Sequence, residues 1–451
     1  MITVPDPSSL LSTLRADGHD GLPDVDVRIG ASVLDGAIAD SLQRFIAREP
    51  LILSDGGPYR TPAGPVVARL AGHLGCPVVQ LGAGTVRADE ETVERAVAEV
   101  GEHRLLISVG SGTLTDIAKV TAQRTGNHHV AVQTACSING FIADRSVLVI
   151  AGAKRTVKSR WPDVLVADTD ILTSAPWQLN LAGVGDLSTV PNAVAEWRLA
   201  ARLGHGPAYT AAVVDGIIAA NPVLPALARA ARDAEPDGIA DLARLLAASG
   251  LSMGVVGSTA PASGTEHAVS HLMEMARSRQ GRPVAAHGMQ VTVATRLALR
   301  VWQLVDATIR AGDAKVKAPD EATSRDAVAR AFSEFDPQTF DECWAAYSAK
   351  RNWLLAHQSA VESVVSEWDA FADALALASP EQFDEISRAS QLPTRAQDLG
   401  DGYDDDLLFW ALRSSHLLRE RISIVDLADL LGVWSDDAVT SIVSDAAKPT
   451  E

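Results

Sequence analysis

Cysteine is scarce in this chain: three in 451 residues (Cys76, Cys136 and Cys343), too few and too scattered for a disulfide framework or a cysteine-rich zinc site. Basic residues are outnumbered, 39 Lys and Arg against 57 Asp and Glu, for a formal charge of −18. Such a surface repels phosphate backbones and anionic lipid, which argues against nucleic-acid and membrane-surface roles while still allowing one local basic pocket. There is no unbroken apolar run of about 18 residues, so no membrane span is expected. The segment Met1–Leu14 has no basic stretch followed by a long apolar one, so no secretory signal is read and a soluble cytoplasmic protein is expected. No repeat of fixed period is visible. What is present is ordinary for a globular chain: 47% hydrophobic and 21% charged residues, enough for one to three domains with substantial cores.

The first 175 residues alternate short apolar runs with amphipathic stretches, the pattern of an α/β layer arrangement. Strands are expected at 51–54, 77–81, 105–109, 130–134 and 164–167, with helices through Val66–Leu74 and Glu91–Val100. Asp55-Gly56-Gly57-Pro58 reads as the turn after the first of these strands. From about Pro176 the texture becomes helical, rich in Ala and Leu, and is divided by Pro191, Pro222, Pro225, Pro236 and Pro283. Residues 313–326 and 401–406 read as exposed polar connections, and Ser444–Glu451 as a frayed tail. The expected organisation is an α/β nucleotide-binding domain over 1–175 and an all-α metal- and substrate-binding domain over 176–451.

Three segments carry chemistry. Gly110-Ser111-Gly112-Thr113-Leu114 follows a buried strand and opens a helix, where glycines let backbone approach an anion and helix N–H groups face it. Such a turn can equally use glycine only to bend, and its spacing is not that of G-x-G-x-x-G. Thr113 and Asp116 have capping-box spacing. Asp55, at a strand end, is placed to accept from ribose hydroxyls, or is simply a turn aspartate; Thr134-Ala135-Cys136-Ser137 follows another strand and can lie along a nicotinamide face or be a polar turn. In the third segment Ser263 and Glu266 form a capping box, so His267 and His271 fall one turn apart on one helix face. That spacing fits two ordinary helix residues as well as two ligands. His287, at the start of the next helix, and Asp186, flanked by glycines in Ala182-Gly183-Val184-Gly185-Asp186, could complete a divalent-metal site.

Taken together, 110–119, 134–141, 167–170, 182–186, Glu196-Trp197-Arg198-Leu199, 263–267 and His287-Gly288 resemble, in order, the iron-containing alcohol dehydrogenase and dehydroquinate synthase-like superfamily. Within it the sn-glycerol-1-phosphate dehydrogenase family is the nearest likeness. The resemblance implies that Gly110, Ser111, Gly112, Thr113, Leu114, Thr134, Ala135, Cys136 and Ser137 hold NAD or NADP, with Asp55 near the adenosine ribose. It implies that Asp186, His267 and His287 bind one catalytic divalent metal (zinc, nickel or iron), that Asn139 and His271, with Asp186, face the substrate, and that the chain forms a homo-oligomer.

Three positions depart from the family pattern. A substrate aspartate is Asn139, a Lys-Tyr pair is Val190-Pro191, and the arginine of Ser-Arg-Pro-Ala-Ser-Gly is Ala260, removing a bidentate partner for phosphate. Lys154, Arg155 and Lys158 could supply another cation, although the run also reads as a solvated basic turn. The expected function is metal-dependent hydride transfer between nicotinamide and a small ketone or alcohol, with dihydroxyacetone phosphate and glycerol 1-phosphate leading. Another small polyol, ketone or aldehyde is the alternative. A sugar-phosphate cyclase would use a glutamate ligand and several basic residues that are missing here.

Overall fold

A computed structural model describes residues 4–19, 21–55, 62–82, 86–312 and 314–448. The chain groups into two compact units: 1–150 with 155–187 and 212–259, and 151–154 with 188–211 and 260–451. The Gly56–Pro58 turn, Asp313 and residues 449–451 of the expected tail lie outside the described residues.

In the first unit six parallel strands form one sheet: β1 (Asp26–Gly30), β2 (Glu49–Ser54), β3 (Val78–Gln80), β4 (Arg104–Gly110), β5 (His128–Gln133) and β8 (Val164–Asp168), in the order β1-β8-β5-β4-β2-β3. A separate ribbon pairs β6 (Arg145–Ile150) with β7 (Ala153–Lys158). Central strands buried on both faces need near-continuous apolar sequence, and Leu105, Leu106, Ile107 and Val109 of β4 are all fully buried. Their alternation divides the core. Ile52, Ile107, Val130 and Val166 pack with helices Leu34–Arg44 and Ala63–Leu74, whereas Leu53 and Leu106 meet Glu90–Val100 and Gly112–Thr125. The helix after β2 thus covers one face and the helix after β4 the other. The crevice at the carboxyl ends of these neighbours is a topological switch point, where open α/β sheets bind ligands.

Helix Pro236–Val256 is long and apolar enough, by length and composition, to cross a membrane, a feature the sequence reading missed. It is mostly buried, with Ala247 and Leu251 against Ala131, Phe141, Ile142 and Leu165, which explains its apolarity as that of a core helix.

The second unit is helical. Thr265–Arg279 and His287–Arg310 share a core with Val190–Leu203, Pro337–Ala356, Asp405–Ser414, Ile424–Leu430 and Asp436–Ala446. Buried Arg296 ties it together by bonding Asp384 at 2.9 Å and the Ala446 carbonyl at 2.6 Å.

Four expectations differ in detail. Part of the 313–326 connection is helix, Glu321–Ala331, begun by an Asp320 cap. Ser444 and Asp445 are the end of a helix rather than tail. The helices over 215–256 group with the sheet unit instead of with the rest of the helical half. Strand β1, the β6–β7 ribbon and helices Pro7–Ala16 and Leu34–Arg44 were not anticipated; β1 is an edge strand of intermediate burial with no apolar run to reveal it.

Candidate active site

Asp55, Gly110 and Thr134 stand at the carboxyl ends of the adjacent strands β2, β4 and β5, and the Thr134 N–H donates to the Gly110 carbonyl at 3.2 Å. A Cβ on Gly110 would meet Leu114 Cδ2 at 2.6 Å and Asp55 Oδ1 at 3.3 Å, and one on Gly112 would meet Ile138 Cδ1 at 2.3 Å. A side chain at either glycine would have to displace the Leu114 or Ile138 side chain, and neither glycine has positive φ. Thr113 does not cap the helix. Ser111 is the N-cap and makes no side-chain cap bond; Asp116 instead pairs with Lys119 at 3.1 Å and accepts from the Val147 N–H at 3.2 Å. The first N–H groups of Gly112–Thr125 consequently have no side-chain cap, an arrangement suited to an anion.

The loop after β5 is fastened from three sides. The Cys136 N–H donates to Asn180 Oδ1 at 2.8 Å, the Asn139 N–H donates to Asp186 Oδ2 at 2.8 Å, and Asn139 Nδ2 donates to Ser249 Oγ at 3.1 Å. Gly183 and Gly250 admit its carbonyls, since a Cβ would stand 2.0 Å from the Cys136 oxygen and 2.2 Å from the Asn139 oxygen. Asn139 thus presents its backbone to the Asp186 carboxylate and its amide to Ser249. Burial pushes the Cys136 thiol up to about 12, so it is an inert lining group rather than a nucleophile. Lys119 is fully buried and donates to the carbonyls of Gly140 at 2.7 Å and Ala143 at 3.2 Å, and also to that of Arg145. Burial lowers its proton affinity while Asp116 opposes that.

In the second unit the three histidines cluster. Ring centroids are 5.1 Å apart for His267 and His287, 5.9 Å for His271 and His287, and 6.4 Å for His267 and His271. His267 Nδ1 lies 2.8 Å from Glu266 Oε1, and His287 Nδ1 lies 3.2 Å from Glu274 Oε1. Carboxylates on Nδ1 fix the tautomer and orientation of an imidazole and raise the basicity of its other nitrogen, the pattern found behind metal-ligating histidines. His271 is held well below the usual histidine range by burial, and further by Lys154 and the other two histidines, so it stays neutral.

The expected Ser263–Glu266 box is replaced by another device. The helix starts at Thr265 with Gly264 as N-cap; Glu266 accepts from the Gly264 N–H at 2.5 Å, and the Thr265 N–H donates to Glu196 at 3.0 Å. Asn192 donates to Glu266, while Arg421 donates to the Ser263 carbonyl and Arg419 to that of Gly264. Burial and the neighbouring Glu266 push Glu196 up to about 8. Lys154 is not a solvated turn residue either: it pairs with Glu274 with its side chain only 19% exposed.

Glu274 was not singled out in the sequence, and Glu196 and Lys119 were noted only within segments that carry the family likeness, without a role. Glu274 was within reach, since 267, 270, 271 and 274 share one helical face. Glu196 and Lys119 act across long sequence separations that no local pattern reports.

A family model described as "Iron-containing alcohol dehydrogenase" matches residues 29–176. A glycerol-1-phosphate dehydrogenase [NAD(P)+] of Halobacterium salinarum is 31% identical over 274 residues, 60% of this chain and 76% of the relative. One from Sulfurisphaera tokodaii is 30% identical over 296 residues, 63% of this chain and 81% of the relative. Among solved structures, glycerol dehydrogenase from Schizosaccharomyces pombe is similar in fold, with a TM-score of 0.59 at 14% identity over 94% of this chain and 90% of that one.

Proposed function

This chain belongs to the iron-containing alcohol dehydrogenase family, and we propose that it reduces dihydroxyacetone phosphate to glycerol 1-phosphate at a centre built from Asp186, His267 and His287. Membership makes it a metal-dependent, NAD(P)-linked dehydrogenase. The observation that carries the reading is the His267–His287 pair, 5.1 Å apart, with Glu266 and Glu274 on the Nδ1 atoms. Each ring then offers Nε2 as its donor atom, and two neutral imidazoles with one carboxylate are a donor set suited to zinc, nickel or iron(II). When bound, the metal supplies Lewis-acid polarisation of a carbonyl and the reduced nicotinamide supplies hydride.

The chain's own residues do the rest. The Asn139 N–H orients the Asp186 carboxylate. Neutral His271 offers a hydrogen bond to a substrate hydroxyl. Asp55 accepts from ribose hydroxyls and disfavours a 2′-phosphate, which selects NAD over NADP. The uncapped N–H groups of Gly112–Thr125 take the pyrophosphate, and residues 134–137 line the nicotinamide.

Ala260, in place of the family arginine, favours a second reading: an unphosphorylated ketone or polyol. Lys154 stands against that, because it is a cation close enough to lower the proton affinity of His271. The test follows the absorbance of the reduced nicotinamide with metal-loaded protein, comparing dihydroxyacetone phosphate with dihydroxyacetone. A preference for the phosphate above about 10³-fold, roughly 4 kcal/mol, means that another cation does the work of the missing arginine. A preference below about tenfold moves the assignment to the unphosphorylated class, and turnover of neither removes the reading.

A further inference from the structure

The chain carries far more acid than base, yet two of its arginines converge with no acid between them. Arg277, on the helix Thr265–Arg279, is only 5% exposed. Its Nε donates to the Pro283 carbonyl at 2.9 Å and its guanidinium lies 4.3 Å above the Tyr403 ring, while Nη1 is buried without a hydrogen-bond partner. Arg282 approaches from the loop that follows. A Cβ built on Gly402 would stand 2.5 Å from Arg282 Nη1 and 2.6 Å from Arg277 Nη1, so both guanidinium groups meet at one point over that glycine. Gly402 has φ +77°, a conformation that favours glycine, and its bare Cα leaves the space the two groups share. Neither arginine forms an ion pair among the described residues. They line one cavity of about 480 Å³ with Val284, Ala285, Gly400 and Asp401.

Two like charges brought together raise the energy of the fold, and a buried guanidinium nitrogen without an acceptor adds a desolvation cost. An oxyanion held by the exposed Arg282 relieves the repulsion. Arginine forks match phosphate bidentately, the cavity is of small-molecule size, and Asp401 on its rim disfavours a ligand that is anionic along its whole length.

We propose that the Arg277–Arg282 cavity is a binding site for a phosphate-bearing small molecule, separate from the Asp186, His267 and His287 set. The site is also linked to that set. The Ala285 N–H donates to the Tyr403 hydroxyl at 2.9 Å, two residues before His287, so the ring under Arg277 also fixes the segment leading to that histidine.

The experiment titrates the metal-loaded protein with inorganic phosphate at low ionic strength by calorimetry, for the wild type, Arg282→Gln, Arg282→Glu and Arg282→Lys. Arg282 is exposed and is not among the residues assigned to metal, nicotinamide or substrate, and circular dichroism of each variant checks that the fold is kept. The expected result is one saturable phosphate site lost by roughly tenfold or more in Arg282→Gln and Arg282→Glu and partly kept in Arg282→Lys, with turnover of the ketone retained. Equal phosphate affinity in the wild type and Arg282→Glu overturns the proposal, as does the absence of saturable binding in the wild type. Because the readout is binding, failure of the dehydrogenase assignment would leave this result standing.

Discussion

Burial alone would keep Glu274 protonated, but Lys154 and His287 outweigh it and hold the carboxyl down to about 2. An ionised carboxylate behind His287 fixes the ring's tautomer, and its loss removes the charge that both His287 and Lys154 engage. Glu274→Gln should weaken metal binding by about 10–100-fold, measured by chelator competition, with the helical content of the fold retained. Unchanged metal affinity would show that Glu274 serves only the ion pair. His129 is a second residue whose environment sets a measurable. It is fully buried between β4 and β5, 2.8 Å from Ser108 Oγ, and burial depresses it from 6.5 to about 3. The folded state therefore keeps it neutral where the unfolded chain takes up a proton. Stability falls as pH drops from 6.5 towards 3, with a slope approaching 1.4 kcal/mol per unit from this group. His129→Gln should flatten that part of the curve in denaturant titrations across the same window; an unaltered slope would mean that other groups govern acid sensitivity.

At the scale of elements, the decisive contacts are helix faces stripped of side chains. A glycine inside a helix usually costs about 1 kcal/mol relative to alanine. At Gly250 the added methyl would stand 2.2 Å from the Asn139 carbonyl, so the sign reverses. Gly250→Ala should destabilise by about 1–3 kcal/mol and shift the 134–139 loop, lowering nicotinamide affinity measured by fluorescence titration. A stabilised variant with unchanged affinity would refute the clamp. The strands of the sheet centre were legible because burial on both faces writes continuous apolar runs such as Leu105–Val109. Edge strand β1 and the β6–β7 ribbon were not, since partly buried strands carry mixed sequence. Both capping boxes failed because the carboxylates are engaged elsewhere: Asp116 with Lys119 and the Val147 N–H, Glu266 with His267, the Gly264 N–H and Asn192, of which Val147 and Asn192 are beyond the reach of local spacing. Asp186, His267, His271 and His287 were readable as chemistry-bearing residues from their types and flanking glycines. Of the carboxylates that orient the rings, Glu266 was read only as a cap, and Glu274 was overlooked although its helical spacing put it on the histidine face.

At the scale of the molecule, texture and packing part company. The sequence turns helical near Pro176, but residues 212–259 group with the sheet, because an apolar helix reads the same whichever core receives it. Acidic excess likewise describes the surface and not each cleft, as the paired arginines at Gly402 show. The proposed centre takes Asp186, His267 and His287 as its metal ligands and leaves His271 to the substrate. The most direct test is metal content per chain, by elemental analysis after chelation and reloading, in the wild type, His287→Ala and His271→Ala. One equivalent in the wild type, none in His287→Ala and a retained equivalent in His271→Ala is the predicted result. Equal metal in the wild type and His287→Ala, or its loss from His271→Ala, would contradict it.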